Sequence, residues 1–221
     1  GLRPTRDIDL LGATENSIRN LMKIIKEICQ IHFDEDGIYF KPETVTCEII
    51  QKQNDYNGIR VRFSAELDRA QIPMQIDIGF GDKVFPEPTQ INYPSLLKLP
   101  SSKILGYTPE TLIAEKLHAM IKLGLLNSRI KDYFDVWCLS RQFNFKIENL
   151  FSAIQITFKQ RDTFMDQITE AFFDTIKQDQ EKPKQWKAFI ERHQPSYSNI
   201  TFDTMIEHLK LFIEPFSKAK I

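Results

Sequence analysis

The chain has 221 residues, 42% of them hydrophobic and 27% charged, with a formal net charge of −1. That is an ordinary globular composition, with apolar residues enough for a real core in one large or two modest domains. The near-zero charge argues against wholesale electrostatic capture of nucleic acid and leaves room only for a local basic groove.

Three cysteines, Cys29, Cys47 and Cys138, form no C-x-x-C pair. They suggest neither a disulfide framework nor a zinc ribbon, and fit reduced, buried thiols in a cytoplasmic protein. The histidines His32, His118, His193 and His208 show no H-x-x-x-H spacing. No signal peptide is evident, and no apolar run reaches the roughly 18 residues a membrane span needs.

Residues 5–11 read as a strand. Successive side chains on a strand face opposite ways, so Asp7 and Asp9 leave one face together while Ile8 and Leu10 are expected to enter the core. Two neighbouring acids repel unless a cation or a proton intervenes. A hard divalent ion such as Mg²⁺ resolves this, since it takes one or two carboxylates plus phosphate oxygens; a solvated acidic strand end is the alternative. The chain opens on Gly1, almost directly on these acids, and residues upstream of it are expected.

Thr14 is placed to cap a helix of about eighteen residues, with Ile18, Leu21, Met22, Ile25, Ile28 and Cys29 on one face. A turn at 34–37 precedes three alternating strands. Val45, Cys47 and Ile49 alternate with Thr46 and Glu48. Ile59, Val61, Phe63, Ala65 and Leu67 alternate with Arg60, Arg62, Ser64 and Glu66. Over 74–80, Ile76, Ile78 and Phe80 form a dry face and Asp77 lies on the other. Gly79 and Gly81 remove bulk beside it. Residues 83–100 hold Pro86, Pro88, Pro94 and Pro100 and read as an irregular crossover, and 103–107 as a last short strand.

From Thr108 the pattern turns helical. Thr108 and Pro109 start a helix that Gly124 stops. It sets Glu115 and Lys116 beside the stripe Leu112, Ile113, Leu117, Met120 and Ile121; Lys116 is a surface cation or reaches a phosphate. A helix over 129–141 carries Arg129, Lys131, Asp132 and Asp135 among Tyr133, Phe134 and Trp137. Either these charges lace an outer face, or burial of the aromatics leaves charges that need partners or ligands. His118 reads as structural. Further helices are expected near 147–160, 165–177, 183–193 and 201–214, the last ended by Pro215. KPKQWK (182–187) reads as a surface turn, with stacking on a nucleic acid strand as the alternative.

Four segments, RPTRDIDLL (3–11), QIDIGFGD (75–82), TPETLIAEKLHAMIKLG (108–124) and SRIKDYFDVWCLS (128–140), together resemble the AbiEii/AbiGii toxin family of nucleotidyltransferases, the toxin halves of bacterial type IV toxin–antitoxin and phage-defence (abortive infection) systems. The resemblance runs to about residue 141. It implies an α+β fold: a polymerase-β-like nucleotidyltransferase mixed sheet with flanking helices (1–107), then an all-helical C-terminal domain (108–221), with the active site in the cleft between. It further implies that Asp7, Asp9 and Asp77 ligate Mg²⁺, that Arg3, Thr5, Lys116, Arg129 and Lys131 bind the nucleotide, and that Asp132 is the remaining essential acid, supported by Asp135. The implied substrate is an NTP, the acceptor tried first a tRNA end, and the implied partner a cognate antitoxin. The superfamily's G-G or G-S turn before D-x-D is represented only by Gly1. Its presence upstream favours the enzyme; its absence favours a degenerate nucleotide- or partner-binding member.

Overall fold

In the computed structural model, residues 8–33, 35–51, 57–93, 95, 100–193 and 199–217 are described. Packing divides the chain into two compact units, one closing at Asp82 and the other beginning at Lys83. The change of sequence character at Tyr107 and this change of packing are thus different boundaries.

The alternating runs build the sheet of the first unit. Strand β3 (Asn57–Leu67) pairs antiparallel with β4 (Ala70–Phe80), and on its other side with β2 (Ile38–Gln51). The β3–β4 turn sets Asp68 at φ 52, a left-handed conformation that Asp tolerates better than most residues. Strand β1 (Ile8–Gly12) adds parallel to β4, giving the order β1-β4-β3-β2. Strand β2 runs longer than the alternation at 45–49 because it continues through an irregularity between Lys41 and Thr46. Pro42, which has no N–H to pair, falls there. The hydroxyl of Thr44 repairs the ladder, accepting from Ser64 N (2.9 Å) and donating to Lys41 O (2.7 Å).

Helix α1 (Ile18–Cys29) begins at the first residue of its apolar face, later than a cap at Thr14 would start it. Ser17, not Thr14, is the cap: its backbone is extended and its Oγ accepts from Asn20 N at 3.2 Å, whereas Thr14 Oγ1 accepts from the Asn20 side chain. The helix packs on β2 and buries Leu21, Ile25 and Cys29 against Val45, Ile59, Val61, Phe63, Ile76, Ile78 and Phe80. Ile8 and Leu10 do not enter this core; they stay 44% and 47% exposed. Their register partners, Ile76 and Ile78, place them on the dry face, but β1 is an edge strand and α1 covers the opposite edge. Ile28 and Ile49 also remain exposed.

In the second unit the proline-rich crossover contains a strand. β5 (Thr89–Tyr93) pairs antiparallel with β6 (Ser102–Gly106), a non-local pairing that periodicity over five residues between two prolines could not reveal. Helix α2 (Pro109–Leu123) starts at the Thr108 cap and ends at Gly124, φ 51. Then follow α3 (Ile130–Gln142), α4 (Ile147–Gln160), α5 (Glu170–Gln178), α6 (Lys182–His193) and α7 (Phe202–Ser217). The expected helix at 165–177 divides: a 3₁₀ turn at Met165–Gln167 precedes α5, which Thr169 caps. Pro215 does not end α7, since Phe216 beyond it is buried and keeps the last turn docked. Phe202, Met205, Ile206, Leu209 and Ile213 form its core-facing stripe. The chain is therefore α+β: a four-stranded mixed sheet with a flanking helix, then helices.

His118 is structural here. It is 5% exposed, lies edge-on to Phe158 and shares a 3.0 Å hydrogen bond between Nε2 and Thr163 Oγ1. Burial lowers its pKa to about 4, helped by the charges of Arg161 and Lys122. A depressed folded-state pKa means that the unfolded chain binds the proton first. Stability held above pH ~6.5 is therefore lost as pH falls from there toward 4, by at most about 1.4 kcal/mol per unit. Urea unfolding between pH 7 and 4.5 is expected to show that slope, and His118→Gln to flatten it; equal slopes in both proteins would refute the assignment.

Candidate active site

The parallel register of β1 on β4 sets Asp9 directly opposite Asp77. Paired residues on adjacent strands share a face, with Cα atoms about 5 Å apart. On the other side of Asp77, across the β3–β4 ladder, stands Arg60. Arg60 grips the carboxylate with both ends of its fork, Nε to Oδ1 at 2.8 Å and Nη2 to Oδ2 at 2.7 Å. Next in the row is Glu48, whose Oε1 accepts from Arg62 at 2.7 Å. The wet face of this sheet thus carries the order Asp9, Asp77, Arg60, Glu48. Asp9 is exposed and Asp77 only 9% so. Asp7, Thr5 and Arg3 lie outside the described residues.

These donors fit a hard cation. Asp9 and Asp77 offer only carboxylate oxygens, the set Mg²⁺ and Mn²⁺ prefer. Each Asp77 oxygen accepts one Arg60 N–H. Among the described residues no group of three such ligands gathers.

The other candidates meet between α2 and α3. Lys116 is no solvated surface cation: its Nζ lies 2.8 Å from Asp135 Oδ2 and 3.5 Å from Asp132 Oδ1, with 23% of the side chain exposed. Asp132 and Asp135 therefore pair across to α2 instead of lacing the face of their own helix. Arg129 and Lys131 are exposed, and both favour the charged form of Asp132. Burial outweighs them and Lys116, and raises the Asp132 pKa. Asp132 Oδ2 is buried and has no hydrogen-bond partner among the described residues. A buried, unsatisfied carboxylate oxygen with a raised pKa can take up a proton or receive a donor from a ligand. Glu115, the residue before Lys116, is held by Arg161 at 3.1 Å.

Two residues, one in each unit, carry little sequence signal. Alternation places Arg60 on Asp77's face, but only the register makes them partners. Lys182, in the segment read as a surface turn or nucleic-acid clamp, is 1% exposed. Its Nζ donates to Leu125 O (2.9 Å) and Asn127 O (2.6 Å), and Asn127 Oδ1 accepts from Arg129 N (2.8 Å). Lys182 thereby pins the turn that launches α3. Trp186 is buried too, donating to Ile200 O, so its ring is not offered to a base.

A protein-family model for the nucleotidyl transferase AbiEii toxin of type IV toxin–antitoxin systems matches residues 2–208. The chain belongs to the AbiEii family. It is accordingly a nucleotidyltransferase toxin, and membership implies a nucleotide substrate and a cognate antitoxin. Two crystal structures from Helicobacter pylori are similar at TM-score 0.43 and 13% identity, each over 98% of this chain. One is JHP933, of which 77% is covered; the other, covered over 79%, is provisionally described as a nucleotidyltransferase. No curated protein matches the sequence. Among the described residues, no helix of this AbiEii member is long and apolar enough to cross a membrane.

Lys182→Met should leave two turn carbonyls without their donor and cost about 1–3 kcal/mol. Guanidinium unfolding followed by circular dichroism measures it; a variant as stable as the parent would show that the buried ammonium does not hold the turn.

Proposed function

We propose that this toxin is an Mg²⁺-dependent nucleotidyltransferase that moves a nucleoside monophosphate from an NTP to a cellular acceptor in the cytoplasm, with tRNA ends the first acceptor to test, in a toxin–antitoxin or phage-defence system. The observation that carries the reading is the register pairing of Asp9 with Asp77, which brings two carboxylates from distant segments onto one face.

In this reading Asp7, Asp9 and Asp77 hold the metal. Bound magnesium supplies charge neutralisation at the α-phosphorus and on the leaving pyrophosphate. An acceptor hydroxyl attacks the α-phosphorus, the new P–O bond forms in line, and the bond to pyrophosphate breaks. Lys116, Arg129 and Lys131, with Arg3 and Thr5, take the negative charge of the phosphate chain. Lys116 suits this role because Asp132 and Asp135 fix its ammonium while part of the side chain stays open to solvent. Asp132, with a raised pKa and an unpartnered oxygen, serves as proton acceptor for the hydroxyl or as the acid that orients Lys116.

Incubating the protein with each labelled NTP, Mg²⁺ and total tRNA or cell extract should label RNA from at least one NTP. Asp9→Ala, Lys116→Ala and Asp132→Ala should each lower transfer by about 100-fold or more while keeping the parent's circular dichroism. Failure to label RNA or protein from any NTP overturns the proposal, and release of nucleotides from RNA without added NTP points to a nuclease instead.

A further inference from the structure

We infer that Arg60 is the built-in counter-ion of the Asp77 carboxylate: it holds Asp77 in place in the metal-free protein and competes for it with the divalent cation. The inference rests on the metal reading of Asp9 and Asp77 above, and adds a residue that lies in none of the four sequence motifs.

Three observations carry it. The contact is a two-point fork, both Asp77 oxygens accepting at 2.8 and 2.7 Å, the strongest form of carboxylate recognition. It is fixed by register, since Arg60 and Asp77 are direct partners across β3 and β4, so no loop movement is needed to make it. It is also half sheltered, with the two side chains 29% and 12% exposed, so water screens it less than a surface pair.

The physical consequence is two-sided. Asp9 lies on the other side of Asp77 in the same row, and two adjacent carboxylates repel. Arg60 offsets that repulsion before any metal arrives. A divalent ion entering between Asp9 and Asp77 then meets a site whose charge Arg60 has already reduced, and must share oxygens that already accept N–H bonds. Removing the guanidinium should loosen the metal-free protein and tighten metal binding. An arginine that only braces the sheet would do the first and not the second.

The test uses the whole chain stripped with EDTA and titrated with Mn²⁺ alone, free Mn²⁺ being read by electron paramagnetic resonance, in the parent, Arg60→Gln and Arg60→Lys. Arg60→Gln, which removes the charge, should bind Mn²⁺ about tenfold tighter, and Arg60→Lys, which keeps the charge but loses the fork, about threefold tighter. In EDTA both should melt below the parent, and Mn²⁺ should raise their melting temperatures more than the parent's. If Arg60→Gln does not fold, Arg60→Lys alone carries the test. Mn²⁺ affinity unchanged or weakened in the variants overturns the counter-ion role while leaving the metal reading intact. Absence of Mn²⁺ binding in all three proteins overturns both, so the two failures are distinguishable.

Discussion

The pairing of a short edge strand with β4 is the constraint on which the acidic face depends. Strand β1 contributes five residues, and its apolar side chains stay half exposed, so hydrophobic burial does little to fix its position. The parallel ladder to β4 fixes it instead, and with it the alignment of Asp9 on Asp77. A slip of one residue would turn Asp9 to the opposite face and bring Ile8 or Leu10 beside the acids. The neighbouring antiparallel ladder fixes Arg60 by the same rule. Electrostatics on this face is thus set by backbone hydrogen bonding one strand away from the core.

The helical unit solves a different problem. A buried carboxylate is costly unless paired, and pairing with one lysine only partly compensates for two acids. Lys116 answers both Asp132 and Asp135, yet Asp132 remains with a raised pKa and an oxygen that meets no donor among the described residues. Lys182, itself a buried cation, is satisfied by carbonyls and binds the start of α3 to α6. One buried lysine is therefore fully engaged in shaping the turn. The other sits beside a carboxylate with bonding capacity to spare, the kind of local imbalance that folds keep where a ligand completes the network.

Period-two alternation was enough to find β3 and β4 and to put Asp77 opposite Ile76 and Ile78, because one face of those strands is buried by α1. Helical spacing found α2, α3, α4 and α7 for the same reason. What alternation cannot supply is which strand neighbours which. Hence Ile8 and Leu10 were expected in the core although β1 lies at an edge, and Arg60 was legible as a wet-face residue but not as Asp77's partner. The same gap hid the contact of Lys116 with Asp132 and Asp135, which joins two helices, and the strand β5, whose partner β6 lies at the far end of the crossover. Lys182 was illegible on other grounds: a lysine at a helix start is usually solvated, and only the carbonyls of 125 and 127 make its burial possible.

The charge of each cluster bears on the proposed chemistry. On the sheet, Asp9 and Asp77 outnumber Arg60, and Asp7 of the same motif would add a further negative charge. Around α3, Lys116, Arg129 and Lys131 outnumber Asp132 and Asp135. The first cluster favours cations and the second favours anions, each judged on its own residues. Arg60 lowers the negative charge of the sheet cluster, and so eases the repulsion between Asp9 and Asp77 that the register imposes.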